Sequence, residues 1–481
     1  MRRNVVAAMV CGLVITLAGW SRVSSEEATS DEYYELMKVF VDTFQQIDRN
    51  YVKDVDRKQL VEAAVKGMLD KLDPYSDYIS PDDLQNFTES VEQEFGGVGI
   101  HVNFDEQQRN IEIMMTVPGG PAATAGLKAT DRVVEIEGKP VRDFPNGQEI
   151  ETAIKMLKGE PGKEVKVTVK HVDKEQPETV TLKRSIIKLD TVLGDSRKPD
   201  GTWNYWIDEP AKIAYLKLTN FASRSGEEMR GILQQLKKDG MKGLVLDLRF
   251  NPGGKLEAAV EVADLFLDSG LIVSTEGRNS IPQKFAAKRF GTFSGFPMAV
   301  LINKYSASAS EIVSAALQDH KRAVVIGERS WGKGSVQTVI DMNVEGSKAA
   351  LKLTTAAYHR PSGKNIHKFP DAKETDEWGV SPDDGYAVAF SQQEVVNYLR
   401  QRSQREAIKV REPLITDFVD TQLKKAREHV EEELLKPSTA PAPEAENKAA
   451  GKEPEGEQKP TDTKSGAFLR ELHFGASADA A

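Results

Sequence analysis

The chain is nearly free of cysteine: the only one among 481 residues is Cys11, near the N-terminus. An intramolecular disulfide and a cysteine zinc site are therefore excluded. Basic clusters are also missing, since the net charge is −10 and no block of lysine or arginine stands out. A protein that follows a phosphate backbone needs such a block, so we expect no nucleic acid among the partners.

A long membrane-spanning run is missing as well. Residues 5–20 are uncharged and mostly apolar, but about 16 residues are short for a span of roughly 20. Arg2 and Arg3 precede this run, which is the pattern of a secretory signal or a short signal anchor. We therefore expect export to the cell envelope, with the protein either periplasmic or anchored at the inner membrane. Whether residues 1–25 are cleaved stays open.

Three serines, Ser306, Ser308 and Ser310, cluster immediately before a predicted helix. Apolar residues recur at helical spacing over residues 312–317. A serine hydroxyl at a helix N-terminus meets unpaired backbone N–H groups and the positive end of the helix dipole, which together stabilise an oxyanion. Taken alone, the cluster is more typical of a helix N-cap than of a nucleophile.

Lys333 is a candidate base. It lies between Gly332 and Gly334 and follows the apolar run at residues 323–326. Desolvation there lowers a lysine pKa, and a serine–lysine pair without histidine is a known nucleophile–base combination. The spacing from Gly327 also approaches a P-loop, but Gly334 stands where that motif needs Ser or Thr for magnesium. An ATP-dependent switch is therefore the weaker hypothesis.

Residues 32–398 resemble the carboxy-terminal processing proteases, the PDZ-containing serine–lysine peptidases of family S41 related to tail-specific protease. Three runs carry the resemblance: DPYSDYIS at residues 73–80, SASASE at residues 306–311 and GKGSVQ at residues 332–337. This resemblance implies that the chain has the family's fold, activity and site residues.

The resemblance implies that Ser308 is the nucleophile, that Lys333 is the base and that Gln337 orients the lysine amine. It also implies an oxyanion hole formed by backbone N–H groups, from Gly253 or Gly254 and from Ala309. Phe250, in the same turn as the two glycines, stands where relatives commonly carry a polar residue. Backbone donation should survive that change.

A PDZ domain is indicated by the order of elements after residue 91. A strand follows a glycine turn, two short helices and a hairpin come next, and a strand at residues 165–169 closes the stretch. The resemblance implies that the glycine turn captures a peptide carboxylate and that the strand pairs with a substrate tail. The residues concerned are Gly97, Val98, Gly99, Ile100, His101 and Val102.

We thus expect an α/β protease core with an inserted β-rich PDZ domain, N-terminal and C-terminal helical segments, and a disordered C-terminal tail. The composition of the tail leaves almost nothing to bury. The predicted boundaries are 1–25 for the signal, 26–90 for the N-terminal helical region, 91–185 for the PDZ domain, 186–390 for the protease core, 391–436 for the C-terminal helical region and 437–481 for the tail.

The predicted function is that of an exported serine endopeptidase that cleaves proteins at or near their C-termini. We expect protein substrates with apolar C-termini, no metal, nucleotide or other cofactor, and we leave open an adaptor, a membrane anchor and a homo-oligomer. One alternative is a Ser–His–Asp triad with His359 or His367, although no G-x-S-x-G elbow surrounds Ser308 and Asp319 is predicted to be structural. The other is a non-catalytic scaffold that binds C-terminal tails through the PDZ domain.

Overall fold

The computed structural model describes residues 30–344, 346–407 and 417–436. The predicted signal segment and C-terminal tail lie outside these ranges. Within the described ranges, no helix is long and apolar enough to cross a membrane.

Three helices and one short strand precede the PDZ domain. The elements are α1 (Ser30–Asn50), α2 (Arg57–Leu69), β1 (Asp77–Ile79) and α3 (Pro81–Glu92). Asp56 caps α2 by accepting a hydrogen bond from the Gln59 N–H group. Leu69 at the end of α2 packs on Tyr78 and Ala349, which attaches this helix to the core. By contrast, α1 leaves most of its apolar side chains exposed.

The PDZ domain has its own sheet and hydrophobic core. Its elements are β2 (Glu94–Gly97), β3 (Ile100–Asp105), β4 (Asn110–Thr116), α4 (Pro121–Thr124), β5 (Arg132–Ile136), β6 (Lys139–Pro140), α5 (Glu149–Leu157), β7 (Glu164–Lys170), β8 (Glu178–Lys183) and β9 (Ser185–Lys188). The strand order is β3-β4-β5-β7-β8. β2 enters the domain and β9 leaves it, and the two pair antiparallel at the junction with the core.

The protease core begins with β10 (Val192–Leu193), β11 (Ser196–Arg197), β12 (Trp203–Asn204), β13 (Trp206–Asp208), β14 (Ile213–Leu218), α6 (Ser225–Lys238), β15 (Gly243–Asp247) and α7 (Leu256–Asp264). It continues with β16 (Leu271–Gly277), β17 (Ser280–Ala286), β18 (Met298–Ile302), α8 (Ala309–Asp319), β19 (Val324–Gly327), β20 (Ser335–Val344) and β21 (Ser347–His359). Two further helices follow, α9 (Gln392–Glu406) and α10 (Thr421–Leu435).

The central sheet has the order β10-β14-β15-β18-β19, and its strands from β14 to β19 are parallel. These strands are apolar along most of their length because both faces are covered. Residues of α6, α7 and α8 pack in the core cluster on one face, and α10 packs on the other through Ala426 and Val430. The carboxyl ends of parallel strands meet at one edge, which is where α/β proteins place their ligands.

A second sheet has the order β1-β21-β16-β17, with β20 also paired to β21. Asp77 of β1 lies opposite Lys352 of β21, so the N-terminal region contributes a strand to the protease core. The predicted C-terminal helical region divides into two helices: α9 ends at Glu406, and α10 begins after Asp420, whose side chain accepts the Leu423 N–H group.

Candidate active site

Three turns meet at the carboxyl ends of β15, β18 and β19. The first contains Gly253 and Gly254, the second contains the serine cluster and the third leads to Lys333. The Asn251 carbonyl joins the first two turns by accepting the Ala307 N–H group, and the Asn251 Nδ2 atom ties the first turn to β14 by donating to the Leu218 carbonyl. The sheet topology therefore brings together segments that are far apart in sequence.

The two outer serines of the cluster hold the turn in place. Ser306 Oγ donates to the Leu248 carbonyl at 2.8 Å and accepts the Asn303 N–H group at 2.9 Å. Ser310 Oγ donates to the Asn251 carbonyl at 2.9 Å. Both hydroxyls are buried and bonded to the backbone of neighbouring segments, so their positions indicate a structural role.

Ser308 lies at the N-cap of α8 in a strained conformation, with φ 56° and ψ −113°. Only a few per cent of non-glycine residues have a positive φ, and such strain is concentrated at functional sites. The turn from β18 into α8 is thus a sharp strand-to-helix elbow, although it lacks the glycines of the usual sequence motif. The Ser308 side chain lies beside the hydroxyl of Tyr358, whose pKa burial raises to about 12, so this phenol stays protonated at neutral pH.

Glu311 connects the serine turn to the lysine segment through four hydrogen bonds. Its Oε2 accepts the N–H groups of Ser308 and Lys333, both at 2.8 Å. Its Oε1 accepts Ser330 Oγ and the Gly332 N–H group, both at 2.6 Å. Complete burial raises the pKa of Glu311 to about 7, although each of the four donors favours the charged form.

Sequence reasoning missed the role of Glu311. The signal was present, because glutamate three residues after an N-cap serine has capping-box spacing. That pattern predicts the bond to the Ser308 N–H group. It gives no hint of the Lys333 segment, which joins through tertiary folding.

The Lys333 ammonium group lies in a partly desolvated site. Burial lowers the lysine pKa below its ordinary value of 10.5, and the charge of Lys352 acts in the same direction. Glu311 and Asp73 oppose this shift without reversing it. The Lys333 Nζ atom lies 5.1 Å from the centre of the Tyr75 ring, so the DPYSDYIS run contributes to the surroundings of the amine. A lysine with a lowered pKa is suited to act as a base.

The glycines beside Lys333 allow close packing of its segment. A β-carbon at Gly334 would lie 2.3 Å from the His367 nitrogen, and one at Gly332 would lie 2.7 Å from the Lys368 Cβ. The segment then continues directly into strand β20. A P-loop instead leads into a helix whose N-terminus holds the phosphates, so the resemblance to that motif is confined to the sequence.

The Gln337 amide donates to two hydroxyl groups. Its Nε2 donates to Ser335 Oγ at 2.9 Å and to Thr354 Oγ1 at 3.1 Å. Within the described part of the chain, no hydrogen bond joins Gln337 to the Lys333 amine. The two residues lie on the same segment, and orientation of the amine by Gln337 stays a prediction.

The predicted oxyanion-hole residues lie in the glycine turn, where Gly253 packs against Ser308, and directly after Ser308 in the chain. Gly253 packs tightly, since a β-carbon there would lie 2.8 Å from the Ser308 Cβ, and its N–H group already donates to Asn251 Oδ1 at 2.8 Å. Gly254 is exposed. Among the described residues, the N–H groups of Gly254 and Ala309 have no hydrogen-bond acceptor. These two groups are therefore available to an incoming oxygen atom.

The residues of the Ser–His–Asp alternative are not brought together. Both carboxylate oxygens of Asp319 accept from the Arg360 guanidinium, at 2.9 and 2.7 Å, and one also accepts the Ser362 N–H group at 3.0 Å. The His367 ring packs edge-on against Phe369. In the ranges given above, no hydrogen bond links His359 or His367 to Ser308 or Asp319. Asp319 thus fastens the end of α8 to the loop after β21.

The predicted peptide site of the PDZ domain is a cavity of about 280 Å³ between β3 and α5. β3 is the last strand of its sheet and pairs only with β4 in the described structure, so its other edge is open to an added strand. Desolvation lowers the pKa of His101, as does the charge of Arg197 in the core. All six predicted residues line the cavity, namely Gly97, Val98, Gly99, Ile100, His101 and Val102.

Metal ligands are not gathered anywhere in residues 30–344, 346–407 and 417–436. No group of three or more His, Cys, Asp and Glu side chains there has the arrangement to hold an ion.

Replacing Glu311 with glutamine is expected to destabilise the protein by about 1–3 kcal/mol, because an amide presents N–H groups to donors that now face an oxygen. The change should also lower the rate of substrate turnover, since it loosens both the serine turn and the lysine segment. Thermal unfolding and kinetics on the same preparation measure the two effects. Glu228→Gln is the control for a lost hydrogen-bonded charge, because the Glu228 carboxylate on α6 accepts the Thr191 hydroxyl and, among the described residues, has no hydrogen bond to the serine turn or the lysine segment. Unchanged turnover in Glu311→Gln would show that this connection is dispensable.

Comparison with known proteins shows which protein families this chain matches. The model of peptidase family S41 matches residues 212–384, that of the PDZ domain matches residues 86–170 and that of the activating protease CtpB N-terminal domain matches residues 17–82. A carboxy-terminal-processing protease of Bartonella bacilliformis is 34% identical over 390 residues, covering 78% of this chain and 82% of that protein.

Two further comparisons concern a curated relative and a solved structure. The carboxy-terminal processing protease CtpA of Bacillus subtilis is 30% identical over 368 residues, covering 76% of this chain and 73% of that protein. A solved photosystem II D1 C-terminal processing protease is 28% identical, covers 73% of this chain and 92% of its own, and has a TM-score of 0.39. Since the chain aligns with relatives of at least 30% identity over most of their length, it belongs to the carboxy-terminal processing proteases of peptidase family S41, which are serine peptidases with a PDZ domain.

Proposed function

We propose that this protein is an exported endopeptidase in which Ser308 and Lys333 form the catalytic dyad. The observation that carries the proposal is the pair of hydrogen bonds from the Ser308 and Lys333 N–H groups to one oxygen of the buried Glu311. These bonds hold the strained serine and the lysine of lowered pKa in adjoining segments. Export rests on the signal pattern of residues 1–25.

In the proposed reaction, the neutral Lys333 amine takes the proton of the Ser308 hydroxyl as its oxygen attacks the substrate carbonyl carbon. The oxyanion accepts hydrogen bonds from the N–H groups of Gly254 and Ala309. The C–N bond then breaks, and the lysine ammonium group protonates the leaving amine. Water attacks the resulting acyl-enzyme, Lys333 takes its proton, and the ester bond breaks to regenerate the Ser308 hydroxyl.

The PDZ domain would select the substrate in this proposal. An extended tail adds to the open edge of β3, with its carboxylate at the glycine turn and apolar side chains against α5. Ile154 of α5 lines that cavity. The exposed apolar face of α1 would pair with a second copy of the chain, because burial of such a face away from water favours association.

The proposal predicts that the protein degrades a loosely folded reporter with an apolar C-terminal tail faster than the same reporter ending in aspartates. Ile154→Asp should slow degradation of the apolar-tailed reporter about tenfold, since a charge in the groove opposes burial of an apolar side chain. Val172→Asp is the matched control, because Val172 is exposed and does not line the groove. Intact-mass analysis of the products measures both the rate and the bond that is cut.

The scaffold alternative makes the opposite prediction. A scaffold binds the apolar tail, and Ile154→Asp weakens that binding, but the reporter stays intact. Tail binding without any cleavage product would therefore contradict the peptidase proposal.

A further inference from the structure

A cavity of about 1110 Å³ lies beside the lysine segment, outside the residues that the proposed reaction uses. We call it the aromatic cavity, and five of its lining residues define it: Tyr75, Tyr305, Trp331, Phe369 and Trp378. Its volume is at the upper end of the range in which proteins bind small ligands, so several adjacent groups of a peptide fit.

Two cations of the aromatic cavity, Arg329 and Lys368, contact the Trp378 ring. The Arg329 guanidinium lies 3.8 Å and the Lys368 ammonium 4.0 Å from the centre of that ring. Arg329 donates to the carbonyls of Trp378, Glu374 and Asp376, and Lys368 donates to the Glu374 carboxylate at 3.2 Å. Both cations therefore already have acceptors in the wall of the cavity.

Three of the other rings are partly exposed to solvent. The residues Tyr305, Trp331 and Phe369 are 42%, 51% and 54% exposed. Exposed rings that converge on one cavity mark a recognition site, whereas single exposed apolar residues are ordinary. Rings also make much contact at a small loss of side-chain entropy. The three rings therefore offer a contact surface for an apolar side chain.

The aromatic cavity adjoins the lysine segment, and one of its rings comes from the serine turn. Lys333 Nζ lies over the Tyr75 ring, and Trp331 is two residues before Lys333. Tyr305 is three residues before Ser308 in the turn after β18. A peptide whose carbonyl carbon reaches the Ser308 hydroxyl thus has its neighbouring side chains within reach of this cavity.

From this arrangement we infer that the aromatic cavity is a specificity subsite that takes a large apolar or aromatic side chain of the substrate close to the scissile bond. The inference rests on the proposed function for the position of that bond. It assigns Phe369 and Trp331 as specificity-determining residues, distinct from the PDZ residues that select the C-terminal tail.

The test uses peptides that cover the C-terminal segment of the reporter, with an acetylated N-terminus and an amidated C-terminus. The blocked ends remove the carboxylate that the PDZ groove would capture. Each position of the segment in turn is Phe in one peptide and Ala in its partner. At one position, Phe should raise kcat/KM over Ala by about tenfold or more, because a fitted apolar pocket discriminates to that extent.

Phe369→Ala should reduce this Phe-to-Ala ratio to about threefold or less. Phe290→Ala is the control and should leave the ratio unchanged, since Phe290 is 96% exposed and does not line the cavity. Calorimetric binding of the same peptides to Ser308→Ala, with and without Phe369→Ala, gives a readout that needs no catalysis. There, too, the preference for Phe should depend on Phe369.

The two proposals fail separately in this experiment. If the wild-type protein cleaves every peptide but shows no position with a preference for Phe, or keeps its preference in Phe369→Ala, the subsite is refuted and the peptidase stands. If nothing is cleaved but Ser308→Ala binds the Phe peptide through Phe369, the subsite stands and the peptidase proposal is refuted. Equal binding of Phe and Ala peptides without cleavage would refute both.

Discussion

Replacing Ser308 with alanine is expected to lower kcat for peptide hydrolysis by about 10⁴-fold or more, as loss of the nucleophile does in other serine peptidases. Alanine removes the hydroxyl of the residue with positive φ in the turn between β18 and α8, directly before the Ala309 N–H group. Initial rates on a blocked peptide measure the loss. Circular dichroism and thermal unfolding of the same preparation show whether the fold is kept.

Ser306→Ala is the contrasting variant. It breaks buried hydrogen bonds to the Leu248 carbonyl and the Asn303 N–H group, so it should lower the free energy of unfolding by about 1–3 kcal/mol. The two variants should therefore differ. Ser308→Ala should lower the rate of hydrolysis at nearly constant stability, and Ser306→Ala should lower the free energy of unfolding. If Ser308→Ala kept activity within tenfold of wild type, another residue would have to be the nucleophile.

Replacing Lys333 with methionine should lower kcat/KM by about 10²–10⁴-fold, the range that a general base contributes. The wild-type enzyme should gain activity as pH rises, because only the neutral amine accepts the serine proton. Burial lowers the Lys333 pKa, so the midpoint of this rise should lie below 10.5. The pH dependence of kcat/KM in the free enzyme measures that pKa.

Lys352→Gln tests the cause of the lowered pKa. The positive charge of Lys352 disfavours a second charge on Lys333, so its removal should raise the Lys333 pKa and move the midpoint to higher pH. Thr338→Val, on the neighbouring strand β20, is a control that changes no charge. A midpoint near the ordinary histidine value of about 6.5 that persists in Lys333→Met would point to a histidine base instead.

The parts of the fold that position the site could be predicted because they depend on local pattern. The apolar runs at residues 243–248, 297–302 and 323–326 predict buried parallel strands, and the structure forms β15, β18 and β19 there. The helix after the serine cluster also follows from its spacing. Since parallel strands place their carboxyl ends at one edge, these predictions already bring the serine and lysine segments close together.

The connections between distant segments could not be predicted in this way. β1 pairs with β21 across more than half the length of the chain, and Arg249 beside the glycine turn forms a buried ion pair with Asp420 before α10 at 2.9 Å. No local sequence pattern predicts such partners. The same holds for the bonds of Gln337 to Ser335 and Thr354, because a rotamer is chosen by neighbours that only the fold supplies.

The most direct test of the Ser308–Lys333 dyad is to map the residue that a fluorophosphonate modifies, by mass spectrometry of the digested protein. The dyad predicts a single adduct on Ser308, formed about 10²-fold or more slowly in Lys333→Met because the serine then lacks its base. An adduct on a different serine, or modification of Ser308 at the wild-type rate in Lys333→Met, would contradict it.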